Sequence, residues 1–93
     1  MLKVFKYTVP SDSRPHTFEL QGKIVHVGTT APGYPDLICF WAIHEDEVVP
    51  TKRTFRIYGT GDGLPPNVEH IGSVVTANGR LVWHLFELVG YNG

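Results

Sequence analysis

Cations, an aromatic hydroxyl and glycines crowd into Thr51-Lys52-Arg53-Thr54-Phe55-Arg56-Ile57-Tyr58-Gly59-Thr60-Gly61-Asp62-Gly63, which holds three of the eight Lys and Arg residues of the chain. The chemistry this suggests is anion binding. On a strand, side chains alternate between faces, so Lys52, Thr54, Arg56 and Tyr58 share one side while Arg53, Phe55 and Ile57 share the other. One face is basic and polar, the other mostly apolar. Glycines beyond the strand allow positive φ and close approach of a ligand to backbone N–H groups. Lys52, Arg53, Arg56, Tyr58, Gly59, Thr60 and Gly61 are therefore the candidate ligand-binding residues. Lys52 and Arg56, like charges separated on one face only by Thr54, call for solvent, a carboxylate or a bound anion, and Tyr58 offers a ring for stacking and a hydroxyl. Arg53, on the apolar side, must reach the sheet edge or pair with a carboxylate. The glycine segment lacks the Lys-Ser/Thr ending of a P-loop and the G-x-G-x-x-G spacing at a helix start, and without a ligand it would be a wide hairpin turn.

Other residue types that do chemistry are present without the spacing that chemistry needs. None of the five histidines, His16, His26, His44, His70 and His84, stands in an H-x-x-x-H or H-E-x-x-H pattern, and Cys39 has no thiol partner, so no metal site is expected. His84 falls opposite Ser73 in the strand register derived below, which would supply two members of a hydrolytic triad. No nucleophile elbow or defined oxyanion hole accompanies the pair, and a Ser–His contact across a hairpin is ordinary sheet chemistry. The run Glu45-Asp46-Glu47 reads as a solvated acidic loop. The residues favour binding over catalysis, with no cofactor.

The elements that must position these residues are strands. Short β-branched and aromatic runs are punctuated by seven prolines and ten glycines, and no capped apolar pattern of period 3.6 extends beyond about two turns. Strands are expected over 3–9, 16–20, 23–28, 36–44, 51–59, 71–77 and 80–88, separated by breakers that include Pro10, Pro15, Gly22, Pro32, Gly33, Pro35, Pro50, Pro65 and Pro66. The fold class is all-β: a compact antiparallel sandwich or barrel-like sheet of six to seven strands, as a single domain over 1–93. Asn78-Gly79 suits a type I′ turn, which sets Ala77 against Arg80, Val75 against Val82, Val74 against Trp83, Ser73 against His84 and Ile71 against Phe86.

Both faces of this hairpin, and of strand 36–44, are apolar. Leu37, Cys39, Trp41 and Ile43 oppose Ile38, Phe40, Ala42 and His44. So much double-faced apolar strand is hard to cover in 93 residues, which points to a homo-oligomer or, alternatively, to a short helix within 62–70 covering one face. Trp41 and Trp83 belong to core or interface packing. A net charge of −1 excludes a general nucleic-acid binder, so an anion site has to be local. A lone cysteine in an apolar run, no segment of about 20 apolar residues and no signal-peptide region read as a soluble, cytoplasmic protein.

The order Ile24-Val25-His26-Val27-Gly28, Cys39-Phe40-Trp41-Ala42, Lys52-Arg53-Thr54-Phe55-Arg56-Ile57-Tyr58-Gly59-Thr60-Gly61, Gly72-Ser73-Val74 and Leu81-Val82-Trp83-His84-Leu85-Phe86-Glu87 resembles a family of small, functionally unassigned proteins of bacteriophages and prophages. The resemblance spans roughly residues 3–88 and carries no assigned reaction. It implies a viral accessory protein, a class that includes oligomeric sponges for nucleotide-derived immune signals of the host. The reading from sequence is thus a non-enzymatic, homo-oligomeric binder of a small phosphorylated ligand. The alternative is an interaction module that offers an apolar sheet face to a host or virion protein.

Overall fold

The protein, described here from a computed structural model, is defined over residues 1–29, 37–76, 79 and 81–91. Among the described residues seven strands follow in chain order: β1 (Leu2–Pro10), β2 (His16–Leu20), β3 (Ile24–Thr29), β4 (Leu37–Glu45), β5 (Thr51–Gly59), β6 (Val68–Val75) and β7 (Val82–Leu88). They form two antiparallel sheets, ordered β1-β4-β3 and β2-β5-β7-β6. The fold is an all-β sandwich rather than a closed barrel. The expected Ala77–Arg80 pair, Asn78, Asp36 and the breakers Pro32, Gly33 and Pro35 lie outside the described residues.

Alternation decides what the sandwich encloses. Ile38, Phe40 and Ala42 of β4 meet Phe55 and Ile57 of β5, and Val9, Leu20, Val74 and Leu85 complete the buried cluster. Phe40 packs at 4.8 Å from Phe55 and stacks on Tyr7 at 5.0 Å, with Phe18 edge-on to both Tyr7 and Phe40. Each fully buried side chain of this size contributes about 1.5–3 kcal/mol, which fixes the strand faces more firmly than any turn does. Trp83, half-buried, packs against the same cluster. The opposite face of β4 is also apolar, as expected: Cys39 is buried there beside Thr8, and Trp41 and Ile43 are half-buried.

Two expectations need correction. No helix covers 62–70 among the described residues; β6 begins at Val68, and residues 60–67 form an irregular connection that starts with a turn at Thr60-Gly61 and contains Pro65 and Pro66, which deny a helix its N–H donors. The hairpin register holds from Val75–Val82 to Gly72–Leu85 and then shifts, so that His70, not Ile71, lies opposite Phe86. Ile71 is the extra residue of a bulge and packs against the core. The adjoining Gly72 explains the site: a Cβ there would stand 2.7 Å from Val27 Cγ2 of β3, so the two sheets approach too closely for a side chain.

The connection from β5 to β6 is not the hairpin turn that its glycines suggest. β5 and β6 both run antiparallel to β7, on opposite sides of it, so they are parallel to each other. The chain leaves β5 at Gly59, beside Trp83 at the start of β7, and enters β6 at Val68, beside Leu88 at its end. Residues 60–67 must therefore run back along the sheet, a distance of roughly 17 Å that eight residues span with slack even after the turn at their start. No helix among the described residues is long and apolar enough to cross a membrane.

Candidate functional site

The outer face of the β2-β5-β7-β6 sheet carries Lys52, Thr54, Arg56 and Tyr58 from β5, His84 and Phe86 from β7, and His70 and Ser73 from β6. Residues 60–67 cross this face as a strap. Two cavities lie along the strap, on either side of Tyr58. One, of about 340 Å³, is lined by Arg56, Tyr58, Pro65, Pro66, Asn67 and Leu88, with Pro15 and residues 89–91 at its margin. The other, of about 230 Å³, is lined by Tyr58, Gly59, Thr60, Gly61, Asp62, Leu64, His84 and Phe86.

The strap changes the standing of Tyr58. Its ring, expected to be presented for stacking, is 3% exposed, with Phe86 edge-on at 5.5 Å and the Arg56 guanidinium 4.7 Å from its centroid. Its hydroxyl is buried and has no hydrogen-bond partner among the described residues, and the same holds for Arg56 Nε. Arg56 forms no ion pair with any described carboxylate. A guanidinium with a buried, unpartnered N–H is costly until an acceptor reaches it.

Arg53 contrasts with Arg56 although only two residues separate them. It lies on the core side, over the Phe55 ring, and binds Glu87 through two nitrogens at 2.9 and 2.7 Å, while a third reaches the Gly22 carbonyl at 3.1 Å. Donating these hydrogen bonds to the Glu87 carboxylate holds the Arg53 pKa above the usual arginine value. Arg53 is thereby committed to the fold and stands apart from the two cavities. Lys52 is exposed on the outer face opposite Glu19 and lines neither cavity.

In the glycine segment, the amide best placed to hold an anion is already occupied. Asp62 Oδ2 accepts the Gly59 N–H at 2.7 Å, and the Asp62 N–H donates to the Gly59 carbonyl at 3.1 Å. The turn is closed by its own carboxylate, with Gly61 at φ 93°. Thr60 turns its hydroxyl to His84 Nε2 at 2.9 Å.

Ser73 and His84 meet as the register requires. Ser73 Oγ lies 2.7 Å from His84 Nδ1, and His70 Nε2 lies 2.9 Å from the same oxygen. The single hydroxyl proton serves one ring while the other ring donates to the oxygen, giving a chain His70–Ser73–His84–Thr60. His70 was not singled out by sequence because residues three apart point to opposite faces of a regular strand; the bulge at Ile71 brings it beside Ser73. Asp62 and the two strap prolines were likewise visible only as turn residues, since the path of the strap depends on which strands pair. Among the described residues no cluster of three or more His, Cys, Asp or Glu residues is arranged to hold a metal ion.

A family model described as a domain of unknown function, DUF7352, matches residues 1–92, and the chain belongs to that family. No curated protein and no solved structure matches it.

Proposed function

We propose that this protein is a non-enzymatic binder that captures a small phosphorylated, nucleotide-derived ligand at the Arg56 cavity. The observation that carries the reading is the state of Arg56: a cation lining a cavity of about 340 Å³, with a buried Nε and no carboxylate partner among the described residues. A phosphate oxygen supplies the missing acceptor, and guanidinium–phosphate contacts are charge-assisted. In a phage setting, which the resemblance to phage and prophage proteins implies, the captured ligand would be a host immune signal and the activity sequestration.

Native mass spectrometry of protein purified from defence-active cells tests this. The expected spectrum shows a small anion bound to the wild type and absent from Arg56→Ala, with the ligand released chemically unchanged on denaturation. Altered ligand would rule out a pure sponge. A stable Arg56→Ala protein that still carries the anion would remove the site. Because Arg56 makes no ion pair with a described residue, its loss should leave the melting temperature unchanged or slightly raised.

The sheet opposite favours a second reading. Leu2 and Val4, 65% and 58% exposed, project from β1 on the outer face of the β1-β4-β3 sheet. This patch would join copies of the chain into a homo-oligomer or, in a monomer, dock a host or virion protein.

A further inference from the structure

The second cavity has the opposite chemistry to the first. Its charged group is the Asp62 carboxylate, its polar neighbours are Thr60 and His84, and Leu64 and Phe86 supply apolar wall. Asp62 spends Oδ2 on the Gly59 amide, and no described group bonds its other oxygen. A carboxylate held by a backbone N–H is oriented before any ligand arrives. Phosphate is repelled there; hydroxyl donors are not. The Gly59 amide lies three residues beyond Arg56 on β5, about 10 Å along the strand. Tyr58, between them, lines both cavities.

From this polarity we infer that the Asp62 cavity is the sugar subsite of a ribonucleotide ligand, with Asp62 accepting the hydroxyls of a ribose whose phosphates lie against Arg56. This rests on the Arg56 reading and adds an orientation and a ligand class. A carboxylate beside a phosphate site is a general means of holding a ribose diol. Thr60 and His84, already bonded to each other, keep the cavity wall in place and leave Asp62 as the free acceptor. Phe86 and Leu64 then border the sugar and the base edge nearest it.

Calorimetric titration with three probes separates the two claims: inorganic pyrophosphate, ADP and 2′,3′-dideoxy-ADP. Wild-type protein should bind ADP about tenfold or more tighter than the dideoxy compound, the effect of losing hydrogen bonds to a charged acceptor. Asp62→Asn should bring the two within about threefold while leaving pyrophosphate binding intact or improved, which also reports that the variant is folded. Arg56→Gln should lose all three probes. Equal binding of ADP and its dideoxy analogue by the wild type overturns the sugar subsite whatever the variants do, while pyrophosphate binding that depends on Arg56 keeps the anion site. Failure of the wild type to bind any of the three overturns both.

Discussion

Two arginines on one strand show how much a single residue of register decides. Arg53 points to the core side, where its side chain is 25% exposed and that of its partner Glu87 14%, so their charged hydrogen bonds are shielded from solvent more than those of a surface pair. Arg53→Ala and Glu87→Ala should each lower unfolding free energy by about 1–3 kcal/mol, because each leaves the other charge half-buried and unpaired. Urea denaturation of both variants and the double variant checks this: the double loss should fall short of the sum by at least about 0.5 kcal/mol. Strict additivity would mean that the pair is decorative. This residue-level choice was only half legible: alternation groups Arg53 with Phe55 and Ile57, but a one-residue bulge at Gly59 or Pro50 would exchange the faces, and the regular pairing of β5 with β2 and β7 is what sets Arg53 inward and Arg56 outward. The burial of Tyr58 was not legible, because it comes from a strap whose route is set by β7 pairing on both sides. The same long-range event places Asp62 at the edge of the site, where the local sequence shows only a turn.

At the scale of elements, the strands were readable because each carries its own alternating or double apolar pattern. The bulge in β6 was not, since His70-Ile71-Gly72 contains one cue, a glycine, whose meaning depends on Val27 across the sandwich. The sheets meet there without room for a Cβ, so Gly72→Ala should cost about 1–3 kcal/mol as Val27 is forced to move. Shortening the obstacle tests the cause. In a Gly72→Ala/Val27→Ala background, thermal denaturation should show less loss than the two single changes added together, because the alanine methyl occupies space that Val27 vacates. If the double variant is as unstable as the sum, the glycine is needed for its backbone conformation and not for clearance. The bulge also sets His70 beside Ser73, so the Gly72→Ala protein should weaken the His70–Ser73–His84 chain as well as the core. An element-level irregularity thus links packing between sheets to the arrangement of side chains on the outer face.

The whole molecule is thin, with principal extents of 42 × 30 × 16 Å, as expected of two sheets packed about 10 Å apart with little outside them. The strap covers part of one outer face; the other presents Leu2 and Val4 along β1, whose free edge is mostly exposed over Leu2–Pro10. Lys3 and Lys6 discourage indiscriminate pairing along that edge, so an ordered interface is the expected use of the apolar residues. Light scattering at about 100 µM should give a mass that is a multiple of 10.4 kDa, and Leu2→Lys/Val4→Lys should return it to a single chain without lowering the melting temperature appreciably. A monomeric wild type would overturn self-assembly and assign the patch to a different protein. The apolar patch and Arg56 lie on outer faces of opposite sheets, and this geometry makes a further demand. Were the ligand of a homo-oligomeric binder enclosed between subunits, monomerisation would abolish binding. With Arg56 under the strap of its own chain, the monomeric variant should instead bind pyrophosphate as tightly as the oligomer, one per chain, and a loss of more than about tenfold would relocate the site to the interface.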